Sequence, residues 1–447
     1  MTKHIRTSEP RVGGSNPSGR ATPYRVSLSD ISYFLTGIAQ MQEEQYSPHR
    51  CVIQAMRMLL QVGMGLNFMS PTPLFPVIMD EFEISRSAVS LLVSATIIVI
   101  TVALLPGGLL IAKMGSRRSM TVAGVLMSAH LLTPLTDSFI LLVIIRLVFG
   151  MGVAITIPAT SAILMEWFKP SELPLLNGIT ESGRSLGVAV GVFVAVPVTN
   201  LIGWEMTLLS FGALPLIGTF VWMMGGRSNV SSTTLEPPFS IRDNIPFMLN
   251  RNTLLLAAGM AGAFAVFIGF SSWLPAYYNE VRGIPLERAS SVVALLPLMA
   301  AVLNPVSGLI QSRLGKRKPM LTMAGLTLPV FALGSFLVPS QIIATVCVMC
   351  LGAIFSIFIV AALTIPMELP GVKSSSVGLV TAAVLTMGNF AGVVSPIFVG
   401  SLTDFLGSYT VPFCIIALVP LTLVIAGLFL PETGKRATNG IPKPATS

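Results

Sequence analysis

Long apolar runs separated by short polar stretches dominate the 447-residue chain. A helix rises about 1.5 Å per residue, so about 20 apolar residues cross the roughly 30 Å hydrocarbon layer of a bilayer. Runs of that length lie at 52–79, 87–111, 119–136, 139–165, 174–199, 205–224, 254–278, 289–311, 319–338, 341–367, 376–402 and 410–430. The pattern predicts an all-α polytopic membrane protein with twelve transmembrane helices. A polar stretch, 225–253, separates the sixth run from the seventh. The first 48 residues are polar and carry Gly, Pro and Ser, which predicts a disordered tail with no cleavable signal. The expected organisation is a tail over 1–48, a six-helix bundle over 49–226, a linker over 227–252, a second six-helix bundle over 253–432 and a tail over 433–447.

The two bundles are related. Gly-Leu-Leu-Ile-Ala-Lys-Met-Gly-Ser-Arg-Arg at 108–118 returns as Gly-Leu-Ile-Gln-Ser-Arg-Leu-Gly-Lys-Arg-Lys at 308–318. Only Ile111/Gln311 and Ser116/Lys316 differ in character. Met165-Glu166 ends the fourth run and Met367-Glu368 ends the tenth. The fifth run carries Gly183, Gly187 and Gly191; the eleventh carries Gly388, Gly392 and Gly400. Small residues at such spacing let helices approach closely within a bilayer. Duplicated halves of this kind are typical of secondary transporters, whose substrate sites lie between the halves near the midplane.

Composition narrows the class. Hydrophobic residues make up 53% of the chain and charged residues 10%, with mean hydropathy +0.80. A soluble domain carries about 25% charged residues. The net charge of +8 does not point to nucleic acid, because the basic residues are scattered at run ends and form no stripe. Their bias sets an orientation instead. With both termini cytoplasmic, 22 of the 27 basic residues fall in or at the edge of the cytoplasm. Arg86, Arg282 and Arg288 fall outside, and Arg146 and Arg184 lie within spans. The expected location is the inner or plasma membrane. Cys347 and Cys350 form a C-x-x-C inside an apolar run, with no second pair or histidine near, so they read as small apolar residues. No metal constellation, nucleotide loop or intramembrane catalytic cluster is visible, so neither cofactor nor enzymatic activity is expected.

The chain resembles the major facilitator superfamily over about 50–432. That family's signature between its second and third helices runs Gly-x-Leu-x-Asp-Arg-x-Gly-Arg-Arg. Gly108, Leu110, Lys113, Gly115, Arg117 and Arg118 match it or keep its chemistry; Gly308, Arg313, Gly315, Arg317 and Lys318 do so in the second half. Arg146 and Gly150 match a fourth-helix Arg-x-x-x-Gly motif. Pro431-Glu432-Thr433-Gly434-Lys435 resembles the sequence following the last helix of sugar porters. Trp273-Leu274-Pro275-Ala276-Tyr277-Tyr278 and the stretch 388–396 resemble the cyanate and nitroimidazole transporter branch. The resemblance implies that these basic turns gate the cytoplasmic side. The signature aspartate, which in the family locks the outward-facing state, is Ala112 in one half and Ser312 in the other. Glu166 and Glu368 are candidate substitutes.

Charges within spans are candidate functional groups, since each costs about 2.5–3.5 kcal/mol at the bilayer centre on insertion scales. Arg146, Glu181 and Arg184 lie near the central layer, and all belong to the first half. Val348 stands where Arg146 would repeat, and Ala382 and Leu385 stand near the counterparts of Glu181 and Arg184. This asymmetry points to substrate or proton handling. Arginine forks suit carboxylates and related anions, so Arg146 and Arg184 are candidate anion ligands and Glu181 a candidate proton carrier. The structural alternatives are an i,i+3 salt bridge for Glu181–Arg184 and backbone bonding for Arg146. Gln61, Asn67, Asn304 and Asn389 fill out the expected cavity. Trp273 and Tyr277 line its outer side or form an interfacial aromatic belt. Pro71, Pro73, Pro76, Pro297 and Pro305 interrupt the first and eighth runs, where breaks are tolerated along a cavity.

The reading that follows is a monomeric secondary transporter of a small, anionic organic solute, coupled to protons and embedded in lipid. Two alternatives remain open at this point: an exporter of hydrophobic drugs, and a transport-dead membrane receptor.

Overall fold

The computed structural model describes residues 49–168, 173–227, 249–314, 316–368 and 374–433. The expected tails, apart from Thr433, and nearly all of the linker lie outside the described residues. In chain order the helices are α1 (His49–Met69), α2 (Phe75–Phe82), α3 (Arg86–Val89), α4 (Leu91–Met127), α5 (Phe139–Trp167), α6 (Leu173–Ile202) and α7 (Trp204–Gly225). The second half contributes α8 (Arg251–Glu280), α9 (Leu286–Leu314), α10 (Lys318–Leu337), α11 (Gln341–Glu368), α12 (Ser374–Leu406), α13 (Thr410–Leu418) and α14 (Leu421–Phe429). No strand occurs among the described residues.

Among the described residues, ten helical segments are long and apolar enough to cross a bilayer. The other two expected spans depart from simple helices for visible reasons. The first run stops at Met69, where Pro71 and Pro73 lack amide donors and clash with a continuing helix. A short 3-10 turn, Thr72–Leu74, follows, and α2 restarts the chain. Gln54, Arg57, Gln61 and Asn67 also lower the hydropathy of α1. The third run is reached through Gly115, whose φ of 78° and ψ of 162° break α4 at the first basic turn. It then finishes as a 3-10 stretch, Ser128–Leu135. A side chain at Gly115 would strain that backbone, which explains the glycine there.

Within the first half α1 packs on α6 and α7, and α4 on α5; within the second α8 packs on α12 and α14, and α10 on α11. The halves meet along α6–α9 and along α3 and α4 against α12. Glycine brings the backbones together. A Cβ at Gly187 would collide with the Val62 carbonyl, and one at Gly65 with that of Arg184. The α1–α6 seam is therefore fixed backbone against backbone. One apolar core runs through both halves, including Leu66, Phe75 and Val93 from the first and Phe270, Trp273 and Phe413 from the second. Large apolar side chains such as Val102, Leu135, Ile140 and Ile342 remain at least 70% exposed, a surface suited to lipid rather than water.

Candidate functional site

Arg146 lies fully buried in α5. Its Nε donates to the Leu92 carbonyl at 2.5 Å, Nη1 to the Asn67 carbonyl at 2.7 Å and Nη2 to the Phe68 carbonyl at 2.7 Å. Asn67 and Phe68 occupy the last turn of α1, where carbonyls lack helical partners. His130 Nε2 lies 3.3 Å from Nη1, and the guanidinium sits 5.1 Å from the Phe149 ring centre. The geometry makes Arg146 a strut holding the broken end of α1 against α4. Every nitrogen is committed, so the backbone-bonding alternative describes this residue better than a ligand role.

Asn67 Nδ2 donates to Gly63 O at 2.9 Å and to Phe211 O at 2.8 Å, strapping α1 to α7, while its buried Oδ1 has no partner. Gln61 is buried and donates to Thr160 Oγ1 at 3.1 Å, joining α1 to α5. Asn304 is buried in α9 with an Oδ1 that has no partner, and Asn389 is half-buried in α12.

Glu181 and Arg184 form an ion pair on α6, with both side chains 29% exposed. Arg184 Nε donates to Glu181 Oε2 at 2.9 Å, and Nη2 donates to the same oxygen. One carboxylate oxygen thus holds the fork, and the pair keeps an open face. Ser182, between them, donates to Ala301 O of α9 at 2.8 Å, so the pair sits where the halves meet.

Arg57, on α1, reaches the same stretch of α6 from within the first half. It is 1% exposed. Nη2 donates to Thr180 Oγ1 at 2.6 Å and Nη1 to Gln54 Oε1 at 3.0 Å. Lying five residues inside an apolar run, it is easily filed with the cytoplasmic edge. The signal that finds it is spacing: Gln54, Arg57 and Gln61 fall at i, i+3 and i+7, one polar face on an apolar helix.

Trp273 and Tyr277 pack near the end of α8, and Tyr277 lines a cavity of about 300 Å³ with Arg86, Glu280 and Tyr409. Trp273 is fully buried, donates from Nε1 to Pro396 O at 2.9 Å and packs on Phe75 and Tyr409. Tyr277 donates to Phe336 O at 2.8 Å. Both belong to a closure at the end of the bundle opposite the basic turns. Its centre is Arg86 at the start of α3. Arg86 reaches Glu280 at 2.7 Å and Asp404 at 3.3 Å, and donates to the Tyr409 hydroxyl at 3.1 Å. Burial pushes the Tyr409 phenol up, keeping its proton, which it donates to Glu280 at 3.1 Å. Deeper in, Ser90 donates to Pro396 O at 2.9 Å and Ser94 to Val393 O at 2.7 Å. Arg86, Ser90 and Ser94 come from the first half and their partners from the second, so this clasp shuts one end of the molecule.

At the basic turns, Arg117 donates to Met223 O and receives a bond from Trp222 on its own carbonyl, both at 3.1 Å. Arg118 is exposed. In the second turn Arg317 Nη1 donates to Gln311 O at 2.6 Å. The carboxylate beside this turn is Glu432, which accepts from the amides of Arg317 at 2.6 Å and Lys318 at 3.3 Å and so caps α10. Lys318 Nζ returns a bond to Leu428 O at 3.1 Å. Glu166 is half-buried near the end of α5, and Gly308 lies within α9 facing Val360. The side chains of Lys113, Arg313 and Glu368, the immediate surroundings of Gly108, and all of Gly315 fall outside the described residues.

Comparison with known proteins agrees with this architecture. Residues 58–379 match the family model described as Major Facilitator Superfamily. A Cupriavidus necator protein named "Probable sulfoacetate transporter" is 26% identical over 381 residues, covering 79% of this chain and 87% of its own. The hexuronate transporter of Bacillus subtilis is 24% identical, covering 83% and 92%. The cyanate transport protein of Escherichia coli is 25% identical, covering 84% and 98%. The crystal structure of a bacterial homologue of the human lysosomal transporter Spinster, inward-facing and unoccupied, superposes with a TM-score of 0.68 at 15% identity, covering 86% of this chain and 95% of that one. The chain belongs to the Major Facilitator Superfamily: it is an integral membrane protein of a transporter family, not of an enzyme family, and acts on a small molecule.

Proposed function

We propose that this protein carries a small organic anion across a cell membrane by alternating access, coupled to protons. The observation that carries the reading is the half-exposed Glu181–Arg184 pair on α6 at the junction of the halves. Arg184 is held by a single carboxylate oxygen. Protonation of Glu181 weakens that hold and leaves a planar fork for a carboxylate or sulfonate. Re-ionised Glu181 competes the anion off. Three relatives carry the names of anion transporters, which supports the substrate class. Because Arg146 is spent on the fold, Arg184 is assigned the leading role.

The basic turns are placed on the cytoplasmic side, with both termini there. The Arg86 clasp then faces outward, and the described state has its outer gate shut. The working unit is the monomer, since each chain holds both halves. A thermal-shift screen of the purified protein tests this. Small organic anions should raise the melting temperature of the wild type, more strongly at acidic pH, and should not stabilise Arg184→Gln. Stabilisation by cationic amphiphiles, retained in Arg184→Gln, would favour the drug-exporter reading instead.

A further inference from the structure

A second buried cation, Arg57, reaches the same stretch of α6 from α1. Arg57 is 1% exposed, yet its hydrogen-bond partners are neutral: Gln54 and Thr180. Among the described residues no carboxylate reaches its guanidinium. Its Nε has no hydrogen-bond partner, and neither does the buried Nε2 of Gln54.

Arg146 shows what a settled buried arginine looks like here. Its Nε, Nη1 and Nη2 all end on main-chain carbonyls, which cannot move away. Arg57 instead leans on two side chains, one of them only half-buried, and keeps an orphan N–H. A buried cation without a counter-charge is unfavourable, and the low dielectric that makes it so strengthens its attraction for an anion.

Position ties Arg57 to Arg184. Its partner Thr180 adjoins Glu181 and lies one helical turn, about 6 Å, before Arg184. Gly65 and Gly187 hold the two helices backbone to backbone, so this spacing is rigid. Among the described residues, this stretch brings two guanidinium groups, Arg57 and Arg184, and one carboxylate, Glu181. An anion with a single acid group would satisfy Arg184 alone.

We infer that Arg57 and Arg184 form a two-point site for a compact dianion, two oxyanion groups joined by a short aliphatic spacer. This rests on the organic-anion reading above. One acid group replaces Glu181 on Arg184. The other displaces Gln54 and Thr180 from Arg57 and fills the orphan Nε–H. Arg57 is then the residue that separates dianions from monoanions.

The test is binding to the full-length protein in nanodiscs at fixed ionic strength. The probes are malonate and sulfoacetate against acetate and methanesulfonate. The wild type should bind the dianions about tenfold or more tightly than the monoanions, and Arg57→Gln should abolish that preference while changing monoanion affinity by less than about twofold. Should Arg57→Gln fail to fold, Arg57→Lys decides. It keeps the charge and loses the fork, so it should lose most of the preference. A dianion preference unchanged in either folded variant overturns the inference, as does a wild type that binds all four probes alike. If Arg184→Gln loses monoanion binding while Arg57→Gln keeps the preference, only this inference fails. If the wild type binds none of the probes, the anion reading falls with it.

Discussion

Replacing Arg86 by glutamine should open the clasp. In the described state its guanidinium contacts Glu280 at 2.7 Å and Asp404 at 3.3 Å. The three side chains are 32%, 26% and 28% exposed, so solvent screens them and each pair is worth no more than a good surface pair, about 0.5–1 kcal/mol. Two pairs give about 1–2 kcal/mol in favour of closure. Since about 1.4 kcal/mol is a factor of ten, Arg86→Gln should raise the population open at that end about 5- to 30-fold. The assay is pulsed electron spin resonance on labels at Glu83→Cys and Ser408→Cys, with Cys51, Cys347, Cys350 and Cys414 replaced. Arg86→Gln should add a longer-distance population in nanodiscs, and Arg86→Lys should add less of it. Identical distance distributions in wild type and Arg86→Gln would show that the clasp does not hold this gate.

Arg146→Gln should leave buried carbonyls of Leu92, Asn67 and Phe68 without donors, costing about 3 kcal/mol or more; a lower melting temperature with unchanged ligand affinity in the surviving protein is the expected pair of results. Gly187→Leu should drive a side chain into the Val62 carbonyl and abolish folding, read as loss of the monodisperse peak in size-exclusion chromatography. Glu432→Ala should uncap α10 and lower stability by about 1 kcal/mol, measured by thermal unfolding in detergent.

Much of the architecture is legible in run length alone, because a bilayer demands about 20 apolar residues per crossing. The duplicated turn at 108–118 and 308–318 reveals the two halves because both copies face the same constraint. Legibility fails where partners are distant in the chain. Arg86 sits at the start of one run, and its partners lie 194 and 318 residues away. No local pattern links them. Glu432 caps a helix that begins more than a hundred residues earlier. Arg146 shows a different limit. Charge asymmetry between the halves flags it as it flags Arg184, but a strut and a ligand look alike until the carbonyls at the end of α1 are placed. Arg57 was within reach, through its helical spacing with Gln54 and Gln61.

The central claim, that Arg184 receives an organic anion when protonation of Glu181 frees it, is tested most directly by uptake into proteoliposomes. Sulfoacetate and hexuronate are offered outside at acidic pH, with neutral pH inside. The wild type should accumulate at least one of them only while the gradient stands. Arg184→Gln should reduce uptake to the level of empty liposomes, and Glu181→Gln should transport without responding to the gradient. Accumulation by Arg184→Gln at the wild-type rate would contradict the account.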